Sequence, residues 1–288
     1  MNKITLAHSP DPDDAFMWWP LADIDGSGPS MDVGEWEFEL VMKDIESLNI
    51  DAEKAIHDIT AISIAQYPRV AQAYDLTACG ASLGDGYGPK LVAKEQCSID
   101  ELFANAPRIA VPGDRTTALA TLRILAGDRK FKWESIDFTT IMDQVHEGQY
   151  DAGVVIHEGQ LSFEENGLFE ICDFGKWWQE RTGLLLPLGG NAIRKDFDKR
   201  YGAGATKEIT ALLKKSIEYA MANREKSLAW ATKWGRGIDI DATDTFVEMY
   251  VNKWTLDFGA QGREAVKRFL SEAASIGALP EVNEIAFV

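Results

Sequence analysis

Short apolar runs alternate with helix-period stretches along most of this chain. "KITLAH" (3–8) alternates apolar and polar positions, as does "WEFELVMKD" (36–44), and both predict strands. Residues 14–22 predict a short helix, and "IESLNIDAEKAI" (45–56) a longer one. Residues 59–70, "ITAISIAQYPRV", predict a strand turning into a helix, with Pro68 acceptable in a first turn. "DLTACGAS" (75–82) and "PKLVAKE" (89–95) predict strands around the glycine-rich "GDGYG". "RIAVPG" (108–113) predicts a strand and turn, and "TTALATLRILAG" (116–127) a helix ended by Gly127. "YDAGVVIHEGQ" (150–160) predicts a strand and turn. Ile209, Leu212, Leu213, Ile217, Tyr219 and Ala220 recur at helical spacing within 204–234, and 241–255 and 262–276 are also helix-like. Strands therefore concentrate before residue 190 and helices after it.

This alternation predicts an α/β fold. The stretch 97–187 forms a unit of its own: a strand, a helix, a strand near 136–140, a helix near 141–148 and a strand near 151–156. It predicts a smaller α/β lobe, 97–187, inserted into a larger lobe made of 1–96 and 188–288. The chain then crosses between lobes more than once, with ligand in the cleft between them.

Composition narrows the function. Apolar residues make up 45% and charged residues 26% of the 288, which is ordinary for a folded globular protein. The net charge of -17 argues against nucleic acid as a partner, because phosphate-binding surfaces need clustered Lys and Arg. No apolar run is long enough for a membrane-spanning helix. "ITLA" gives only four apolar residues before His8, too few for a secretory leader, so the expected location is cytoplasmic. Cys79, Cys97 and Cys172 have no CxxC spacing and are expected to be isolated thiols. Nothing in the sequence fixes the oligomeric state.

Four stretches could carry chemistry. In "AVPGDRTTA", Thr116 and Thr117 open a helix after a strand; its free N–H groups, with Arg115 beside them, fit a carboxylate or phosphate, though a capped helix needs no ligand. In "VVIHEGQ", His157 follows an apolar strand, where α/β proteins gather ligands, and Glu158 is adjacent. His8 also follows a strand, while His57 and His146 fit helix surfaces. In "ITAISIAQY", the Ser63 hydroxyl stands at a strand-to-helix junction. In "SPDPDDAF", Asp13 and Asp14 fit either a first helical turn or a cleft wall. An EF-hand reading of that loop fails, because Phe16 and Ala22 occupy the glycine and glutamate places. No Cys/His set has zinc spacing, so no metal is expected. The tryptophan pairs Trp18–Trp19 and Trp177–Trp178 fit a core or a stacking surface for an aromatic ligand.

Together "SPDPDDAF", "DIESLN", "ITAISIAQY", "GDGYGPKLVA", "AVPGDRTTA", "AGVVIHEGQ", "WWQERTGLLLPLGG" and "YVNKWTLDFG" resemble, in order and over nearly the whole chain, the 1,4-dihydroxy-6-naphthoate synthase family of the futalosine route to menaquinone. The resemblance implies a two-lobed fold like that of type II periplasmic binding proteins. It implies a cofactor-independent lyase that acts on an anionic aromatic small molecule, cyclic dehypoxanthine futalosine. It further implies His157 as general base, Asp14 as a second catalytic position, and Asn49, Ala61, Ile62, Ser63, Arg115, Thr116, Thr117 and Ala118 as substrate-binding residues. The family's usual opening is "SPCPNDTF"; here Asp11, Asp13 and Ala15 replace its Cys, Asn and Thr. The alternatives are a related chorismate dehydratase and a non-catalytic small-molecule-binding protein.

Overall fold

A computed structural model describes every residue except 236. Among the described residues, eleven strands form two sheets. They are β1 (Asn2–His8), β2 (Trp36–Met42), β3 (Ile59–Ser63), β4 (Tyr74–Leu76), β5 (Ser82–Gly84), β6 (Lys90–Ala93), β7 (Arg108–Val111), β8 (Lys132–Ser135), β9 (Ala152–Val155), β10 (Phe169–Asp173) and β11 (Leu186–Arg194). The first sheet runs β2-β1-β3-β11-β4, with β5 also paired to β11, and the second runs β10-β6-β9-β7-β8. In the first, β1 is parallel to β2 and β3, while β11 is antiparallel to β3. In the second, β7 is parallel to β8 and β9.

Each sheet is held by its own packing. Beside the first, Phe16, Met17 and Trp18 of the helix Pro12–Trp18 join Ile209, Leu213 and Ile217 of Ala205–Ala222 in one buried cluster with Ile4 and Leu6 of β1. Beneath the second, Ile141 and Val145 pack on Val92, Ala110 and Val155. A larger cluster joins the two sheets, from Ile62 and Ile64 through Leu119 and Leu122 to Phe269. β3 and β9 are buried along their whole length and read as nearly continuous apolar runs, whereas β1 begins with exposed Asn2 and Lys3.

The chain passes from the first sheet to the second between β5 and β6 and returns between β10 and β11. β6 therefore pairs within the second sheet, although residues up to 96 were expected with the first. The two crossings touch: a Cβ on Gly175 would lie 1.8 Å from the Tyr87 carbonyl oxygen, and one on Gly84 would lie 2.0 Å from it. Only glycine permits that approach.

Other differences are local. The strand expected near 136–140 is β8 at Lys132–Ser135, and a 3-10 turn occupies Phe138–Thr140. The helix expected over 204–234 breaks at Asn223 into Ala205–Ala222 and Arg224–Ala231. That over 241–255 divides into Ile240–Tyr250 and Lys253–Leu256, where Asn252 caps the second piece. β10 and β11 were not anticipated; β11, with two glycines and a proline, lacks the alternation that marks a strand. His57, expected on a helix surface, is buried and meets the Asp51 carboxylate at 3.0 Å. None of the four paired tryptophans lines the cleft. Trp18, Trp19 and Trp178 are buried in core packing, and Trp177 packs against the cluster joining the sheets.

Candidate active site

One cavity, about 140 Å³, collects residues from both sheets. Its walls come from the carboxyl ends of parallel strands, where chain direction leaves loops and helix starts facing a common space. β1 delivers Ser9 and the acidic loop, β3 delivers Ser63, the turn after β7 delivers Thr116–Ala118, and β9 delivers His157.

The anion-binding corner is built largely by backbone. Thr116 caps the helix Thr117–Ala126, its Oγ1 accepting from the Leu119 N–H at 3.2 Å and donating to the Gly113 carbonyl at 2.8 Å. The Thr117 hydroxyl accepts from the Ala65 N–H and donates to the Leu188 carbonyl at 2.6 Å, which ties this helix to the first sheet. Both hydroxyls are thus occupied. The Thr117 and Ala118 N–H groups, in the first helical turn, have no intrahelical acceptor. Arg115, expected beside the ligand, does not line the cavity. Its guanidinium is held by Glu46 Oε1 at 3.1 Å and Glu53 Oε1 at 2.6 Å, so carboxylates of the helix Ile45–Glu53 draw it away.

Ser63 lines the cavity, as do Ala61 and Ile62. Asn49 does not; it is fully buried behind Ser63, whose N–H donates to Asn49 Oδ1 at 2.9 Å and whose Oγ accepts from Asn49 Nδ2 at 3.0 Å. The pairing fixes the amide orientation and leaves the Ser63 hydroxyl proton for a ligand.

The acidic loop forms another wall, with Asp11, Asp13 and Asp14 all lining it. Asp13 and Asp14 sit in the first turn of the helix Pro12–Trp18, as its N-terminal proline and acids favour. Asp14 Oδ2 accepts from both the Ser9 N–H and the Ser9 hydroxyl at 2.8 Å. Burial raises the Asp14 pKa, against the pull of His8 and these two bonds. Asp13 lies 3.4 Å from the Ser82 hydroxyl. Burial, and then the charges of Asp14 and Asp11, hold its carboxyl well above the usual range. His8, buried behind the loop, donates from Nδ1 to the Ser9 carbonyl at 2.7 Å, and burial lowers its pKa.

His157 is one of three non-glycine residues with positive φ among the described residues, here 56°. Its ring stacks edge-on against Phe138 at 4.8 Å, and its Nδ1 meets the Gly159 N–H at 3.1 Å and Glu158 Oε2 at 3.3 Å. Its Nε2 is buried without a hydrogen-bond partner. A strained backbone that aims one unpartnered ring nitrogen is the kind of feature that functional sites retain.

Two residues not named as site candidates complete the cavity. Phe246 and Tyr250 enter from the helix Ile240–Tyr250, and the Tyr250 hydroxyl donates to Gln160 Oε1 at 3.1 Å. Burial pushes the Tyr250 phenol strongly upward. Their helical spacing reads as ordinary core, which is why sequence alone missed them. Among the described residues, no group of three or more His, Cys, Asp or Glu side chains could hold a metal ion.

Known proteins place this arrangement. A family profile described as menaquinone biosynthesis matches residues 4–275. The chain belongs to that family. A 1,4-dihydroxy-6-naphthoate synthase of Thermus thermophilus is 32% identical over 96% of each chain. The crystal structure of AF1704 from Archaeoglobus fulgidus superposes with a TM-score of 0.87 at 36% identity, covering 96% of this chain and 98% of that one. A periplasmic sulfonate-binding protein from Methylobacillus flagellatus has a TM-score of 0.64 at 14% identity, covering all of this chain and 92% of its own. That likeness establishes the two-sheet periplasmic-binding-protein fold. The menaquinone family within it is enzymatic in its named relatives.

Proposed function

We propose that this cavity converts cyclic dehypoxanthine futalosine to 1,4-dihydroxy-6-naphthoate, with His157 as general base. The observation that carries the reading is the unpartnered Nε2 of a His157 ring that lines the same cavity as the helix N-terminus at Thr117 and Ala118. The relative from Thermus thermophilus bears the name of this synthase. A substrate carboxylate fits the Thr117 and Ala118 N–H groups and the Ser63 hydroxyl. Phe246 and Tyr250 offer faces for an aromatic ring.

Releasing the sugar-derived part and aromatising the remainder needs a proton taken from carbon next to an activating group. A neutral imidazole does this near pH 7, and such base catalysis is worth roughly 10²–10⁴-fold. Asp14, with Oδ2 already occupied by Ser9, holds the loop in place. We further read the two sheets as two lobes that close on substrate and exclude water. Asn tolerates positive φ better than most residues, so His157→Asn removes the imidazole with little backbone strain. Turnover, followed by chromatography of the naphthoate product, falls at least about 100-fold. A well-folded His157→Asn enzyme with near-normal turnover would falsify His157 as the base.

A further inference from the structure

The His157 ring nitrogens are not equivalent. A nitrogen that takes a proton from substrate needs a lone pair, so a base acting through Nε2 must carry its resting proton on Nδ1. Two neighbours compete for Nδ1. The Gly159 N–H, 3.1 Å away, can only donate, which favours the tautomer with the proton on Nε2. Glu158 Oε2 stands 3.3 Å from Nδ1, within ion-pair reach, and a carboxylate can only accept, which favours the proton on Nδ1. Glu158 is 5% exposed, so its contact with the ring is poorly screened by water.

We propose that Glu158 is a positioning residue: it holds the Nδ1 proton of His157 and so selects the tautomer whose Nε2 lone pair serves the cavity. The proton balance is complete. Nε2 gains the substrate proton, Nδ1 keeps its own, and the resulting imidazolium is stabilised by the adjacent carboxyl group. The Gly159 N–H then turns from partner to spectator. The ring itself is held close to these two groups. Phe138 packs edge-on against the ring, and a Cβ on Gly159 would lie 3.0 Å from His157 Cε1, so the imidazole has little room to rotate.

This inference rests on His157 acting as base for its catalytic consequence, but not for the tautomer itself. Ring ¹⁵N spectroscopy reads the tautomer directly. With four histidines in the chain, the His157 signals are assigned by their loss in His157→Asn. Wild type shows the proton on Nδ1; Glu158→Leu, which removes the acceptor and keeps an apolar side chain of similar reach, shows it on Nε2. Glu158→Asp, with a shorter acceptor, restores part of the Nδ1 form. In turnover, Glu158→Leu lowers kcat about 100-fold, within the range for losing a correctly protonated base, while KM changes less than about threefold. Identical tautomers in wild type and folded Glu158→Leu overturn the proposal. A shifted tautomer with unchanged kcat also overturns its catalytic part. Should His157→Asn retain turnover while the tautomer still follows Glu158, the base assignment fails and the positioning contact stands.

Discussion

Asn49→Asp tests how Ser63 presents its hydroxyl. The substitution changes one atom group in a fully buried side chain. The Ser63 N–H keeps an acceptor, since either carboxylate oxygen replaces Asn49 Oδ1. The other contact inverts. Ser63 Oγ now accepts from Asn49 Nδ2 at 3.0 Å, and opposite a carboxylate oxygen it must donate instead. The hydroxyl proton is then consumed inside the protein, and a ligand carboxylate meets only lone pairs. A hydrogen bond to a charged group is worth about 1.5–3 kcal/mol, so its loss raises KM by about 10- to 100-fold. The new buried negative charge adds to that effect. kcat changes little, because the contact is made equally in ground and transition states. The assay is initial-rate formation of the naphthoate product over a substrate series, with thermal melting as the check on folding. An unchanged KM in a folded Asn49→Asp protein would refute the assignment of Ser63 as a ligand donor.

Three further expectations follow from other parts of the molecule. Alkylation of the native protein at pH 8 labels Cys97 first, since burial pushes the Cys79 and Cys172 thiols up to about 12; peptide mass spectrometry showing equal labelling would contradict this. Gly175→Ala forces the two inter-sheet crossings apart and destabilises by about 3 kcal/mol or more, at the upper end of overpacking costs; an unshifted melting temperature would show that the Tyr87 turn relaxes freely. Asp13→Asn raises the melting temperature at neutral pH. The folded-state pKa of Asp13 lies above its unfolded value, so the stabilising contribution of its proton is fully present below about pH 4. It is lost as pH rises through the folded pKa. The gain from asparagine therefore vanishes toward pH 4, and a gain independent of pH would count against a buried titrating Asp13.

Much of this was legible in the sequence, and the misses have physical causes. β1, β3, β7 and β9 were found because their apolar runs end in residues with a reason to stop: Ser9, Ser63, the Pro112–Gly113 turn and His157. Those same ends line the cavity, so its walls were legible with the strands. β11 was invisible because Pro187, Gly189 and Gly190 break alternation, and only pairing with β3 makes that stretch a strand. Arg115 was misplaced because a sequence shows its neighbours in the chain but not Glu46 and Glu53, which reach it from another helix. Phe246 and Tyr250 enter the cavity only through tertiary packing, which periodicity cannot distinguish from core.

In sequence terms the acidic loop fits a first helical turn or a cleft wall, yet three carboxylates on one wall oppose an anionic ligand. Burial resolves the conflict for one of them. A carboxyl group whose pKa is held well above the usual range keeps its proton to higher pH than a free aspartate, and in that form it offers one donor and one acceptor, as an asparagine amide offers both kinds. The family opening that this loop resembles carries asparagine where this chain has Asp13. In its protonated form Asp13 thus presents nearly the same hydrogen-bonding face as that asparagine. It follows that Asp13→Asn leaves turnover near wild type while raising stability at neutral pH. Asp13→Leu, which removes donor and acceptor together, lowers kcat/KM about tenfold, equivalent to one hydrogen bond. If Asp13→Asn instead abolished turnover, Asp13 would have to act as a charge or a proton carrier, and the equivalence with asparagine would be lost.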